Sequence, residues 1–330
     1  MDGEIRVSIV KVSFVHNNFR TTGAINLSKQ GREMKLNLSV RVTVMLLMLN
    51  FFVTAFAESP SGMRLYVLNS GSLSLGKGVL QNLAPMEPQI RIPVAMFVIK
   101  HPKGNVLFDT GNNDKIIDNP GYWGPNFAAL KPVNTPDVSI ESQLARINMT
   151  PDDITYVVVS HMHLDHGGNV GKFPNSTLVI QRDEIEYAMF PDEPFAGAFI
   201  PGDVAELRSG IGIKKPNAVP MLVLEKTDLD IFRDGAIVVK RARGHTKGGQ
   251  MLIVRLPNTG TVILTGDAAY FRDNVTKSIP PNIALAYDPA GILRGYEWIR
   301  YMMASEGADF FTSHDPEVFK AYRKAPEYYD

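Results

Sequence analysis

The sequence predicts an α/β (α+β) fold in which sheets are packed between helices, and two observations carry that expectation. Apolar, β-branched segments of strand length, bounded by Gly, Pro and Asn, recur in both halves of the chain with helical patterns between them, which favours layers over an all-β or all-α core. The 330 residues are also 45% hydrophobic, enough to bury a sizeable core without cross-links.

The first feature along the chain is "MKLNLSVRVTVMLLMLNFFVTAFA", residues 34–57. A short basic start (Lys35, Arg41), an apolar stretch to Phe52 and then Ala55-Phe56-Ala57 is the layout of a secretory signal peptide cleaved before Glu58. A membrane anchor or a buried helix are the alternatives, although Asn50 interrupts the run and leaves it short for a span. Because such a segment begins at its own methionine, translation is expected from Met34, with residues 1–33 an extension outside the fold. Residues 58–330 then form one catalytic domain, delivered to the periplasm or secreted.

Strands are expected at 94–100, 105–111, 154–160, 177–181, 236–244, 251–256, 261–268 and 308–315. Helices are expected at 139–147, capped by Asp137 or Ser139, and at 290–307, closed by Gly307. Between them, 111–137 is rich in Gly, Pro and Asn and carries Tyr122, Trp123 and Phe127, the composition of a binding wall or lid, or of an exposed linker.

Charge and cysteine content narrow the chemistry. Lys+Arg and Asp+Glu each total 34, which gives no basic footprint for nucleic acid. Cleavage before Glu58 would remove seven basic and three acidic residues, leaving 27 against 31 and a net charge of −4. The absence of cysteine excludes disulfides, thiolate metal ligands and cysteine nucleophiles, so an active site must use N and O donors.

Those donors cluster in "VVVSHMHLDHGGN", residues 157–169, where His161, His163, Asp165 and His166 follow a strand and lead into Gly167-Gly168. His245 in "GHTKGGQ", His314 in "TSHDPE" and Asp267 in "TVILTGDA" also stand at strand ends, where side chains can converge. Only His16 and His101 fall outside this pattern. Imidazole and carboxylate suit Zn²⁺ or a similar first-row ion, with iron, manganese and cobalt as alternatives, and five His with two Asp exceed what one tetrahedral site uses. Two divalent metal ions per chain are expected.

The ordered set "VLFDTG", H-x-H-x-D-H, "GHT", "TGDA" and "SHD" resembles the metallo-β-lactamase superfamily over essentially the whole chain after the signal. The resemblance implies a four-layer αββα sandwich with a dinuclear site at the sheet edge. It further implies that His161, His163 and His245 hold one metal, that Asp165, His166 and His314 hold the other, that Asp267 bridges them, and that Asp109 fixes the histidine loop from behind.

Tyr270, three residues after Asp267, together with "IRIPVAMFVIKHPKGNVLFDTG" and "VIQRDEIEYA", is similar to the N-acyl-homoserine lactone lactonases, the quorum-quenching branch. That branch implies attack of a metal-bridging hydroxide on the carbonyl of a small-molecule lactone, with the Tyr270 hydroxyl at that carbonyl and Asp165 carrying the proton. Another lactonase, an esterase or a glyoxalase II-like thioesterase is the competing expectation on the same fold. An apolar trench for the acyl tail is sought at Met86, Ile90, Trp123 and Phe127. No nucleic-acid partner and no lasting membrane insertion are expected, and a homodimer is left open. One departure is noted: many relatives read Gly-His-Thr/Ser-Pro-Gly-His-Gln, where this chain has Lys247 and Gly249.

Overall fold

Alternation along two long strands defines the layers. In β1 (Arg64–Leu75) and β2 (Ile90–Lys100), Leu65, Val67, Ala95, Phe97 and Ile99 turn to one face while Tyr66, Leu68, Met96 and Val98 turn to the other. Both faces are buried, so side chains of both parities are apolar, and the strands read as continuous hydrophobic runs rather than as an alternating pattern. The computed structural model describes residues 59–192, 195–210 and 220–330; the expected signal segment at 34–57 and the extension at 1–33 lie outside them.

The remaining strands are β3 (Asn105–Phe108), β4 (Ile154–Val158), β5 (Thr177–Gln181), β6 (Met221–Leu224), β7 (Leu229–Asp230), β8 (Ile237–Arg241), β9 (Gln250–Leu256), β10 (Gly260–Leu264) and β11 (Asp309–Phe311). They build a six-stranded sheet in the order β1-β2-β3-β4-β5-β6 and a five-stranded sheet in the order β11-β10-β9-β8-β7. The helices are α1 (Lys77–Leu80), α2 (Lys115–Asp118), α3 (Pro125–Leu130), α4 (Ile140–Ala145), α5 (Arg182–Met189), α6 (Pro201–Gly210), α7 (Arg272–Thr276), α8 (Pro289–Glu306) and α9 (Pro316–Ala321).

Three apolar clusters separate four layers. Phe97, Phe108, Val158 and Val179 of the first sheet meet Ile237, Leu252, Val254 and Val262 of the second. Leu144, Ile185, Val204 and Leu207 from α4, α5 and α6 cover the outer face of the first sheet, and Ile292, Tyr296, Ile299 and Met302 of α8 cover Met251 and Ile263 of the second. The predicted αββα sandwich is therefore present. A cavity left at its centre, as in Phe97→Ala, costs roughly 3–5 kcal/mol.

Parallel pairing of β3, β4 and β5, and of β10 with β11, sends the carboxyl ends of these strands to common edges. The expected strands at 105–111, 154–160, 236–244, 261–268 and 308–315 all stop earlier than predicted, at Phe108, Val158, Arg241, Leu264 and Phe311. The residues beyond leave the ladders to form loops, which is why their polar side chains can converge. Helix α4 takes its cap from Ser139, whose side chain accepts from Ser142 N, and α8 ends at Gly307 with φ 64° as predicted. The 111–137 stretch is not an unstructured linker: it holds α2, α3 and a short turn at Pro120–Trp123, whose Trp123 is buried. Among the described residues, no helix is long and apolar enough to cross a membrane.

Candidate metal centre

Asp109 begins the construction of the site. It ends β3 in the left-handed region, φ 61°, a backbone cost that persists where surrounding contacts hold it. Its Oδ1 accepts from Ser160 N at 2.5 Å, and its Oδ2 from Ser160 Oγ at 2.9 Å and from His166 Nδ1 at 2.8 Å. Ser160 Oγ is thereby left to accept from His161 Nδ1 at 3.0 Å. Gly266, φ 50°, lies where any Cβ would collide with Ser160, so the Asp267 turn can close over this residue only with glycine there. The expected supporting role of Asp109 matches this position: it touches His166 and reaches His161 through Ser160.

The other imidazoles are fixed in the same manner. His245 Nδ1 lies 2.8 Å from the Leu285 carbonyl, and His314 Nδ1 lies 2.8 Å from that of Pro93. With Nδ1 against an acceptor in His161, His166, His245 and His314, each turns its Nε2 inward, where it is a free lone pair in the neutral form that ligates a metal. His163 presents its Nδ1 instead, 2.8 Å from His245 Nε2.

Asp267 stands between two sets of these nitrogens. Its Oδ2 lies 3.4 Å from His245 Nε2 and 3.8 Å from His161 Nε2, while its Oδ1 lies 3.0 Å from His314 Nε2 and 3.2 Å from His166 Nε2. Asp165 joins the second set, at 3.5 Å from His314 Nε2 and 3.8 Å from His166 Nε2. His161, His163 and His245 form one potential ligand group, and Asp165, His166 and His314 another. These are the two triads expected from the resemblance.

Electrostatics agree with a cation at the centre. Burial, reinforced by neighbouring histidines, holds His161 and His163 well below the usual imidazole range and also lowers His245, which keeps them neutral and able to ligate. Burial pulls on His166 and His314 too, but Asp267 and Asp165 outweigh it and raise both. Burial works against the Asp267 carboxylate, yet His166 and His314 hold it well below its usual range. His161 Nε2 is buried with no hydrogen-bond partner, and a lone pair stranded among other lone pairs and a carboxylate fits a positive ion. The all-N/O donor set fits divalent metal ions.

Two buried residues tie the loops that carry the first triad. Glu184, at the start of α5, accepts from Met162 N at 2.9 Å, from Thr246 Oγ1 at 2.6 Å and from Gly248 N at 3.1 Å. Gln250 bonds across the sheets to the Val159 and Val179 carbonyls. The role of Glu184 was not expected from the sequence; a carboxylate three residues after a predicted strand was the signal available. Gly249, the departure from the common pattern, explains itself: a Cβ there would stand 2.9 Å from the Ala242 carbonyl, so a histidine would displace the hairpin.

Tyr270 is 2% exposed, its hydroxyl 2.9 Å from His245 Nδ1, and burial with nearby Asp267 holds its pKa well above the usual phenol. It belongs to an apolar cluster with Leu80, Ile92, Trp123 and Leu164, against which Ile90, Phe127 and Leu285 are partly buried. Three of the four expected tail contacts thus share a cluster with Tyr270; Trp123, 1% exposed, is a packed wall rather than an open surface. Met86 is 54% exposed, with its Sδ against Gly78 of α1. Two further exposed apolar residues, Leu83 and Ile283, stand on segments joined by Asn82 N to Pro280 O and Asn282 N to Val79 O, a long-range pairing that no local pattern announced.

Comparison with known proteins bears on this geometry. Residues 90–314 match the model of the metallo-beta-lactamase superfamily. The N-acyl homoserine lactonase AttM of Azorhizobium caulinodans is 36% identical over 270 residues, 81% of this chain and 98% of the relative. AiiA, the N-acyl homoserine lactonase of Bacillus thuringiensis subsp. kurstaki, is 27% identical over 80% of this chain and 98% of its own length. A solved N-acyl homoserine lactone hydrolase with the product N-hexanoyl-L-homoserine at its catalytic metal center superposes with TM-score 0.67 at 25% identity, covering 81% of this chain and 98% of that one. The chain, with two buried histidine sets divided by one carboxylate at the edge of an αββα sandwich, belongs to the metallo-β-lactamase superfamily.

Proposed function

We propose that this protein opens the lactone ring of N-acyl-homoserine lactones by metal-dependent hydrolysis. The observation that carries the reading is the division of Asp267, one oxygen toward each histidine set, in a chain 36% identical to an N-acyl homoserine lactonase over nearly that protein's whole length. His161, His163 and His245 would hold one divalent ion and Asp165, His166 and His314 the other, with Asp267 shared, and zinc suits this donor set. Such ions, when bound, acidify water and polarise a carbonyl.

The chain's own residues do the rest. Tyr270 keeps its proton because burial and Asp267 oppose its ionisation, so its hydroxyl is a donor for the oxygen that gains charge as the lactone carbonyl is attacked. Asp165, at 13% exposure the more open of the two carboxylates, can take a proton and pass it to the departing ring oxygen. Leu164 and Leu285 exclude water beside Tyr270, and Ile90 and Phe127 offer the acyl tail apolar surface, leading toward the exposed Leu83, Met86 and Ile283.

The test is acid release from short and long N-acyl-homoserine lactones by protein beginning at Glu58, with metal content measured on the same sample. Efficient opening with about two metals per chain supports site and substrate together. Two metals with a glutathione thioester or a simple γ-lactone turned over in preference would move the substrate and leave the site.

A further inference from the structure

A second cavity lies away from the histidines. It measures about 630 Å³, within the roughly 300–1,000 Å³ of small-molecule sites, and is formed by β8, the following Ala242-Arg243, the segment before β7 and one face of α8. Ala242 also borders the hollow beside His161 and His245, but none of the seven residues assigned to the metals lines this cleft.

Five cations line it: Lys226, Lys240, Arg241, Arg243 and Arg294. Three carboxylates answer them, and two are shared. Asp288 Oδ2 serves Arg294 at 3.1 Å and Arg243 at 3.8 Å, and Asp183 serves Arg241 at 3.0 Å and Lys226 at 3.7 Å; Lys240 pairs with Asp228 at 2.7 Å. One carboxylate cannot neutralise two cations, so the cleft keeps an excess of two positive charges. The pairs are partly solvent-exposed and hence weak, so an incoming anion can draw the cations from their partners at small cost.

The opposite wall suits a flat group. Gly291 and Gly295, four residues apart, fall on one side of α8, and a Cβ on Gly295 would meet nothing within 4 Å. Trp298 closes the end of this strip, half-buried, with Lys240 Nζ 5.7 Å from its ring centroid. Guanidinium groups beside an open aromatic wall recognise a ring that carries a polyanionic group.

We propose that this cleft binds a nucleotide-type ligand, its phosphates on Arg294 and Lys240 and its ring along the Gly295 strip against Trp298. The chain has two tryptophans, Trp123 in the cluster with Tyr270 and Trp298 in this cleft, so the fluorescence change on ligand addition that disappears in Trp298→Phe reports the cleft.

The experiment titrates the metal-loaded protein with ADP, adenosine and pyrophosphate, following tryptophan fluorescence and heat. ADP is expected to bind with Kd below about 1 mM and to quench Trp298. Pyrophosphate should bind at least about tenfold more weakly, and Lys240→Ala/Arg294→Ala should weaken ADP by at least about tenfold while metal content and hydrolysis stay unchanged. No ADP heat at millimolar concentration overturns the proposal. So does ADP binding undiminished in the double variant, which would place the nucleotide on the metals, and so does pyrophosphate binding as tightly as ADP, which would leave an anion site without a ring pocket.

Discussion

Asp267 and Tyr270 sit three residues apart and make opposite predictions. Among the described residues, Asp267 is the carboxylate that pairs with histidines of both triads, so Asp267→Asn is expected to lower metal affinity by at least the roughly 10–100-fold that loss of an outer partner costs, and to cut turnover with it. Metal analysis after dialysis checks this; two retained ions with full activity would end the bridging assignment. Tyr270 touches a ligand from outside, so Tyr270→Phe should retain both metals and lower kcat by about 10²-fold, the loss of one placed donor. Unchanged kinetics would return Tyr270 to packing. Which residue types form the site was legible in the sequence, because histidines at strand ends are few and their motif is ordered. Which nitrogen each presents was not, since that is set by Pro93, Leu285 and Asp109, far away in the chain.

Helix α5 and helix α6 each bring one buried carboxylate to the loops. Glu184 fastens the loop of His161 and His163 to that of His245, so Glu184→Ala strands the Met162 and Gly248 amides at about 1–3 kcal/mol each. A lowered Tm and faster loss of metal to a chelator are expected, with the Tm deficit persisting in metal-free protein. Asp203 on α6 accepts from Tyr122 Oη and Asn113 Nδ2, both at 2.7 Å, and burial pushes its pKa up to about 7. The unfolded chain loses that proton near about pH 4. Between those values the folded chain holds a proton that the unfolded chain lacks, so this contribution to stability is complete below the window and is lost as pH rises through it. Asp203→Asn should therefore raise Tm at pH 8, by up to about 4 kcal/mol of stability, with the gain vanishing toward pH 4. A gain independent of pH would show that ionisation is not the cause. The long helix α8 was readable from its cap glycine and periodicity, whereas α5, only eight residues long, and α6, without a strong apolar stripe, were not.

For the protein as a whole, we propose export, on the layout of residues 34–57. Among the described residues, the two-sheet core draws on residues from Met63 to Tyr329, and the two triads lie between His161 and His314. We expect the N-terminus of protein recovered from the periplasm or medium to be Glu58; an intact N-terminus on membrane-bound protein would favour the anchor. The layered architecture and the gathering of His and Asp donors were legible in the sequence, because buried strands need apolar runs and a metal centre needs donors at strand ends, and the lactonase branch was legible by resemblance of its ordered motifs. The division of Asp267 between two sets, the clip at Glu184, the lip of Leu83 and Ile283 and the basic cleft on α8 emerge only on folding. Each joins residues tens to hundreds of positions apart, where the contacts depend on how sheets and helices pack and not on any local pattern.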